Sequence, residues 1–320
     1  MRIERSRAWA LAAFAAGLAL PLQDVIYVVF IMKVLCFALF ACAFNLLLGF
    51  TGLLSFGHAA FFGSAAYVTG YLCKNLGWST ELGILAGVLT AAAMGFIVGS
   101  LAIRRVGIYF AMITLALAQM VYFLAVQLPF TGGEDGIQGV PRGTLFGLID
   151  LKSDTAMYYF VYGLFVIGFA IVHRAVHSPF GQVLKAIREN EPRALSLGYD
   201  VARFKLLAFV ISATLAGLAG STKSLVFQLA TLTDVHWHIS GEVVLMTLLG
   251  GMGTMLGPVV GALTVVGLQN YLSGIGSWST IATGAIFVVC VLAFRRGIVG
   301  ELGALARRLA GKNNGFDRPR

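Results

Sequence analysis

The residues whose chemistry stands out lie at three places along the chain. A stretch of mixed charge runs over 178–205, a single histidine, His58, lies among glycines, and two carboxylates, Glu134 and Asp135, share a glycine-rich stretch. The spacing offers no serine–histidine–aspartate set and no facing carboxylates, so enzyme chemistry has no support. His58 has no nearby Cys, Asp or Glu, so we expect no metal site. We also expect no cofactor bound by this chain and no catalytic residues.

The mixed-charge stretch predicts two short amphipathic helices. Ser178 followed by Pro179 suits a helix start, Pro192 interrupts the helix, and Gly198 suits the end of a second one. Leucine, isoleucine and alanine recur near helical spacing, with charged residues on the other faces. Such an apolar stripe favours a partner surface, and the alternative is a solvated connector at the membrane surface.

The glycine-rich segment Gly49–Gly63 contains Ser55, Gly57 and His58. Glycines let helices approach closely and let a backbone break where it lines a cavity. A polar, ionisable residue at membrane depth favours a functional role, so these three residues are candidates for a translocation path. The alternative is that His58 hydrogen-bonds a neighbouring carbonyl and holds two helices together.

The third place is a turn outside the predicted membrane segments. It offers hydroxyl, glycine and carboxylate groups that suit a cation or a partner protein, and a solvated hairpin is the alternative. The candidate residues are Thr131, Gly132, Gly133, Glu134 and Asp135.

The composition of the chain indicates which secondary-structure elements hold these residues in place. The chain has 320 residues, of which 58% are hydrophobic and 12% charged, and its mean hydropathy is +0.87. Soluble domains carry about 25% charged residues. The apolar runs last about 20 residues, as membrane-spanning helices do, and they do not alternate as barrel strands would. The sequence therefore predicts an all-α polytopic transmembrane bundle.

About ten membrane segments are predicted, some of them glycine-broken or re-entrant. The segment 242–251 is short and glycine-flanked, which suits a half-helix or a re-entrant segment. The segments are 8–22, 25–48, 53–72, 82–103, 108–128, 155–173, 205–229, 242–251, 257–272 and 280–294.

The distribution of basic residues predicts the orientation of the chain in the membrane. With the amino terminus inside, most of the 23 basic residues fall on inside segments, as the positive-inside rule requires. Arg2, Arg5 and Arg7 precede the first span, which no convincing cleavage site follows. We expect a membrane domain over 1–294, an inside loop at 174–205, an outside loop at 129–154, and a basic tail at 295–320. Both termini are expected in the cytoplasm of a multi-pass inner-membrane protein.

Several motifs resemble one family of transporters. The string Arg-Glu-Asn-Glu-Pro-Arg-Ala at 188–194, the stretches 45–63 and 107–116, the turn 131–136 and Gly-Gly-Met-Gly at 250–253 occur in consistent order over roughly 30–295. As a set they resemble the branched-chain amino-acid ABC permeases of the LivM type.

The resemblance implies a permease subunit that forms half of the pore of an ATP-driven importer for branched-chain or related amino acids. It implies two cytoplasmic ATPase subunits, a homologous second permease and a periplasmic substrate-binding protein as partners. It also implies an ATPase-coupling role for five residues of the mixed-charge loop, Arg188, Glu189, Glu191, Arg193 and Gly198. The turn at 131–136 would lie near the pore mouth.

Alternatives remain open. The sequence contains no G-x-x-x-x-G-K-[ST] loop, so ATP hydrolysis is expected on partner subunits. Permeases of the same type serve urea, amides or aromatic acids. An ion-coupled secondary transporter would need acidic residues deep in the membrane, and the predicted spans have only Asp24 and Glu242, near segment ends. Nothing resembles the filter of a channel. Lys33, Lys223 and Glu242 fall inside or at the ends of apolar segments; Lys33 lies within the second span, and its partner is not evident.

Overall fold

The computed structural model describes residues 27–145, 147, 149–272, 274, 281, 284–285, 287–288 and 297–301. Helices dominate this part of the chain, as predicted. They are α1 Val28–Asn45, a π-helical turn Leu46–Thr51, α2 His58–Asn75, α3 Thr80–Ala102, α4 Ile108–Gln127, α5 Asp154–His177, α6 Pro179–Glu189, α7 Glu191–Ser196, α8 Val201–Phe227, α9 Leu232–Val235, α10 Trp237–Gly250 and α11 Gly257–Leu272. The strands are β1 Ile137–Gln138, β2 Thr144–Leu145, β3 Ile149–Asp150 and β4 Leu229–Ala230; β1 pairs with β4 and β2 with β3, both antiparallel.

Within the described residues, five helices are long and apolar enough to cross a membrane. They are α1 with its π-helical turn, α3, α4, α5 and α8. The chain is thus a multi-pass membrane protein, and the total of ten segments stays a prediction. The predicted segment 8–22 lies outside the described residues, as do Arg2, Arg5 and Arg7, most of 280–294 and most of the tail 295–320.

The described helices run between two ends of one bundle. At one end, which we call the hairpin end, α6 and α7 pack beneath the π-helical turn that extends α1. At the other, the loop end, β1 pairs with β4 just after α8, and Arg142 hydrogen-bonds the carbonyl of Val226 at 2.8 Å. The predicted loops 174–205 and 129–154 therefore lie at opposite ends.

Two helices begin inside the bundle. The α2 residue His58 hydrogen-bonds Ser212, which lies eleven residues into α8, so the chain re-enters the bundle between Gly52 and His58. The backbone amide of Ala59 donates to the Ser240 hydroxyl at 2.9 Å, which places the start of α10 at the same depth. At 1.5 Å per residue, the 14-residue α10 is about 21 Å long, shorter than a membrane core of about 30 Å.

The predicted short segment 242–251 thus belongs to a broken crossing. Residues 228–236 enter from the loop end, and α10 continues from mid-bundle to Gly250 at the hairpin end, where the neighbouring Gly253 meets Asn45. Irregular backbone at this depth is tolerated because it is buried in protein, where its polar groups find partners.

Small residues set the closest helix contacts, between α2, α3 and α8. A methyl group on Gly220 of α8 would overlap the backbone of Phe62 in α2, and one on Gly217 would overlap the side chain of Ala91 in α3. Without a hydrophobic force between helices in lipid, such close approach supplies the packing energy.

We predict that Gly220→Ala destabilises the bundle by about 1–3 kcal/mol, because the added methyl forces α2 away from α8. The measurement is thermal unfolding of the purified protein in detergent. Gly163→Ala in α5 is the matched control, since nothing lies within 4 Å of the added methyl. Equal unfolding temperatures for the two variants would contradict this account of the α2–α8 contact.

Candidate functional site

The helical hairpin α6–α7 begins and ends with well-defined caps. The Ser178 hydroxyl accepts from the amide of Gly181, and Pro179 occupies the first turn of α6. Asn190 caps α7 by accepting from Arg193 N at 3.0 Å, and Pro192 lies in the first turn of α7. The two predicted short helices are present, but the break falls at Asn190, so Pro192 starts the second helix rather than interrupting the first.

The hairpin is held against the bundle by one apolar face. Leu184 and Ile187 of α6 and Ala194 of α7 are buried, and Ile187 and Ala194 pack with Val201 at the start of α8. The opposite face leaves large apolar side chains uncovered within the described chain: Leu195, Leu197 and Tyr199 are 56%, 68% and 40% exposed. Water-exposed apolar groups at this density indicate a surface that contacts a partner.

The five predicted coupling residues divide into two groups. Arg188 and Glu191 turn toward the bundle: an Arg188 Nη1 donates to the carbonyl of Gly49, and Glu191 pairs with Lys205 of α8 at 2.7 Å. Glu189, Arg193 and Gly198 are exposed. Arg188 is also exposed apart from the guanidinium that reaches Gly49, whereas Glu191 is half-buried. Gly198 adopts φ +85°, a left-handed conformation that favours glycine and lets the chain turn from α7 into α8.

A small polar cavity lies between the hairpin and the bundle. Its volume is about 180 Å³, and Arg188, Glu191 and Lys205 contribute its charged groups. Thr51 of the π-helical turn, Gly52 and Gly107 before α4 also line the cavity. The cavity therefore lies beside the apolar contacts of the hairpin, where Arg188, Glu191 and Lys205 supply the polar ones.

His58 lies in a closed aromatic cluster. It is fully buried, with the rings of Phe44, Phe61 and Phe209 edge-on around it at 5.0–5.7 Å. The Ser212 hydroxyl gives its one proton to the Ala43 carbonyl at 2.6 Å, so His58 Nε2 must donate to Ser212 Oγ at 2.9 Å. This bond joins α2 to α8 and, through Ser212, to α1; its partner is a hydroxyl and not the carbonyl that the structural alternative named.

The other candidates for a translocation path are also internal. Ser55 is fully buried, and its hydroxyl accepts from the amide of Gly57 at 3.2 Å. Gly57 packs against the backbone of Thr114, whose hydroxyl also accepts from Phe56 N. None of the three candidates lines the polar cavity beside the hairpin, and their role in a path stays a prediction.

At the loop end the candidate residues form a tight turn. Thr131 is buried and donates to the Ala125 carbonyl at 2.6 Å, while Gly132 and Gly133 have φ of +77° and +60°. Glu134 and Asp135 are exposed beside them. Thr131 thus ends α4, and only the two carboxylates are free to meet a partner. No cluster of metal ligands occurs in the described part of the chain.

Sequence comparison identifies the family. The family described as "Branched-chain amino acid transport system / permease component" matches residues 26–294. The chain belongs to this family.

Its relatives include LivM proteins of bacteria and an archaeon. The high-affinity branched-chain amino acid transport system permease protein LivM of Escherichia coli K12, and its Salmonella typhimurium counterpart, are each 30% identical over 273 residues, covering 78% of this chain and 64% of theirs. The probable LivM of Methanocaldococcus jannaschii is 28% identical over 200 residues, covering 57% of this chain and 54% of its own. This permease-family chain thus spans 64% of the first two relatives' length. No solved structure matches it.

Two features of this permease-family chain escaped sequence reasoning. Lys223 pairs with Asp234, both buried, at 2.6 Å, which anchors the re-entering residues 228–236 to α8. Thr231 and Asp234 have the spacing of a capping box, a sequence signal from which Asp234 could have been predicted. Asn45 gave no signal: it reads as one polar residue in an apolar run, and its two partners lie more than 200 residues away.

We predict that Glu191→Gln lowers the free energy of unfolding by about 1–3 kcal/mol, since Lys205 loses a charged partner. Lys205 is only 5% exposed at its side chain and Glu191 35%, so water replaces the lost interaction poorly. Thermal unfolding in detergent, with proteolysis of the hairpin as a local probe, measures the effect.

The matched control is Asp200→Asn, which breaks the neighbouring Asp200–Arg203 ion pair. Those side chains are 50% and 83% exposed, so the change is expected to cost less than about 1 kcal/mol. Asparagine also keeps the cap of α8. A Glu191→Gln protein as stable as the control would show that the ion pair does not hold α7.

Proposed function

We propose that this chain is a membrane-spanning permease subunit of an ATP-driven importer for branched-chain or related amino acids, forming half of the translocation pore. The observation that carries the proposal is the α6–α7 hairpin of this family member. It presents Leu195, Leu197 and Tyr199 to the outside at the more basic end of the bundle. An apolar surface of this kind between two membrane helices suits docking of a soluble motor protein.

The motor is a pair of cytoplasmic ATPase subunits. The sequence has no phosphate-binding loop of the G-x-x-x-x-G-K-[ST] type, so hydrolysis belongs to partners. A homologous second permease completes the pore, and a periplasmic binding protein delivers the substrate to the loop end. The exposed carboxylates Glu134 and Asp135 lie at that end and suit contact with it.

The charge distribution supports the orientation. Arg174, Lys185, Arg188, Arg193 and Lys205 all lie on or beside the hairpin, which the positive-inside rule assigns to the cytoplasm. The loop end holds few basic residues, and its Arg142 is paired with Asp154 at 2.6 Å. Ten segments with both termini in the cytoplasm accommodate this arrangement.

The alternative is an ion-coupled transporter, whose driving ion would need a free buried acid. Asp234 is buried, but Lys223 and the Thr231 cap already occupy its oxygens. One further acid to consider is Glu242, which lies early in α10 with its side chain 15% exposed and its Oε1 3.5 Å from His238 Nδ1. Urea, amides or aromatic acids remain alternative substrates for a permease of this type.

Purification tests the assembly. The tagged chain, taken from native membranes in mild detergent, is expected to bring down two ATPases and a second permease. Uptake of labelled leucine into proteoliposomes with the receptor and internal ATP identifies the substrate class. Uptake that persists without the ATPases would refute the proposal.

We predict that Leu197→Asp weakens ATPase binding by about tenfold or more, because a charge replaces an apolar contact worth roughly 1.5–3 kcal/mol. Leu197→Met, of similar volume and polarity, is the control and should bind normally. Binding is measured by titrating purified ATPase onto the permease complex in nanodiscs. Equal affinities for the two variants would remove Leu197 from the docking surface.

The orientation has its own test. Ser196→Cys places a thiol on exposed α7, and Asp135→Cys places one on the loop end. A membrane-impermeant maleimide applied to spheroplasts should label Asp135→Cys and label Ser196→Cys only after lysis. The reverse pattern would put the hairpin outside and exclude ATPase docking.

A further inference from the structure

Three segments distant in sequence meet at the hairpin end. They are the π-helical turn Leu46–Thr51, the turn 251–256 between α10 and α11, and α6. The π-helical turn ends the crossing that breaks at Gly52, the turn 251–256 follows the crossing that breaks before α10, and α6 belongs to the hairpin proposed to dock the ATPase. A displacement of the hairpin would reach the two crossings at this junction.

Asn45 joins the first two segments. It is buried, its Nδ2 donates to the carbonyl of Thr254 at 2.9 Å, and its Oδ1 accepts from the amide of Gly253 at 3.0 Å. One side-chain amide thus satisfies a donor and an acceptor of the turn, as a neighbouring strand would. Buried backbone groups of this kind are costly to leave unpaired, so the two segments must move together.

Arg188 joins the third segment to them. A π-helical turn leaves carbonyls unpaired where it ends, and Arg188 donates to one of these, that of Gly49. A cation also suits the negative end of a helix. The stem of Arg188 passes under Gly52, whose missing side chain leaves room: a methyl there would lie 3.1 Å from Arg188 Cγ.

Glycine is required at the meeting point. A methyl group on Gly49 would overlap the side-chain amide of Asn45 and the backbone of Gly253, and one on Gly253 would approach the Arg188 guanidinium. The π-helical turn and the turn 251–256 are thus in direct contact, and the Arg188 side chain fits closely against both. Close contacts of this kind transmit small displacements because packed interiors do not deform continuously.

Resting on the proposed function, we propose that Arg188 is the positioning residue that couples the hairpin to the two broken crossings. With Asn45, Gly49, Gly253 and Thr254 it forms what we call the clasp. ATPase movement would reach the hairpin through its exposed face, and Arg188, whose guanidinium reaches the bundle, passes it to Gly49. Since Asn45 fixes the turn 251–256 to α1, both crossings then shift at the hairpin end.

The test uses the complete complex of both permeases, ATPases and receptor, reconstituted in native lipids. The variants are Arg188→Gln, which loses the charge and the forked donor, and Arg188→Lys, which keeps one charged donor. Arg203→Gln is the matched control, an arginine near the start of α8 whose side chain is 83% exposed and pairs with Asp200. The readouts are ATPase co-purification, receptor-stimulated ATP hydrolysis, and leucine taken up per ATP.

We expect Arg188→Gln to keep its ATPases and to hydrolyse ATP, while uptake per ATP falls by at least about fivefold, the low end of coupling between linked sites. Arg188→Lys is expected between wild type and Arg188→Gln, and the control at the wild-type ratio. A merely structural role would lower yield without changing uptake per ATP.

Three results would overturn the clasp. They are a wild-type uptake ratio in Arg188→Gln, a loss of ATPase binding that makes Arg188 a docking residue, or a Lys variant with no recovery. If Arg188→Gln is not inserted into the membrane, leucine uptake per ATP is measured on Arg188→Lys and compared with wild type to decide the role of Arg188. A wild-type complex that recovers no ATPases would instead refute the proposed function itself, and the clasp with it.

Discussion

Backbone amides inside this bundle have to find their partners within the protein, because lipid offers none. An unbroken helix meets that requirement by itself, whereas each break in a helix creates groups that only another segment can satisfy. Here Thr114 accepts from Phe56 N, Ser240 accepts from Ala59 N, and Asn45 binds Gly253 N. The two broken crossings therefore require buried polar side chains, which pair with the backbone groups that the breaks leave open.

That requirement explains why the polar residues at membrane depth are mostly occupied. His58 donates to Ser212, whose proton goes to a main-chain carbonyl, and Lys223 is paired with Asp234. Polar side chains at this depth therefore serve chiefly to hold helices together.

Much of the bundle followed from hydropathy, since apolar runs predict helices whatever they pack against. The predicted segment 108–128 and the helix Ile108–Gln127 differ by one residue. Breaks in the crossings were harder to predict. The segment 242–251 was predicted as short, but the helix starts at Trp237, because residues 228–236 fold back and are held by the Lys223–Asp234 ion pair. Propensity holds no information about such long-range contacts.

The hairpin shows the same division between local and distant information. Its caps and its two helices were evident from Ser178, Pro179 and Gly198, because capping acts within a few residues. The sequence grouped Arg188 with Glu189, yet Arg188 donates to the carbonyl of Gly49, a contact 139 residues away that no local pattern reveals. Since one face of α6 binds the broken crossings and the other is left uncovered, a partner that tilts the hairpin acts on the ends of both crossings, where the backbone has the least helical support of its own.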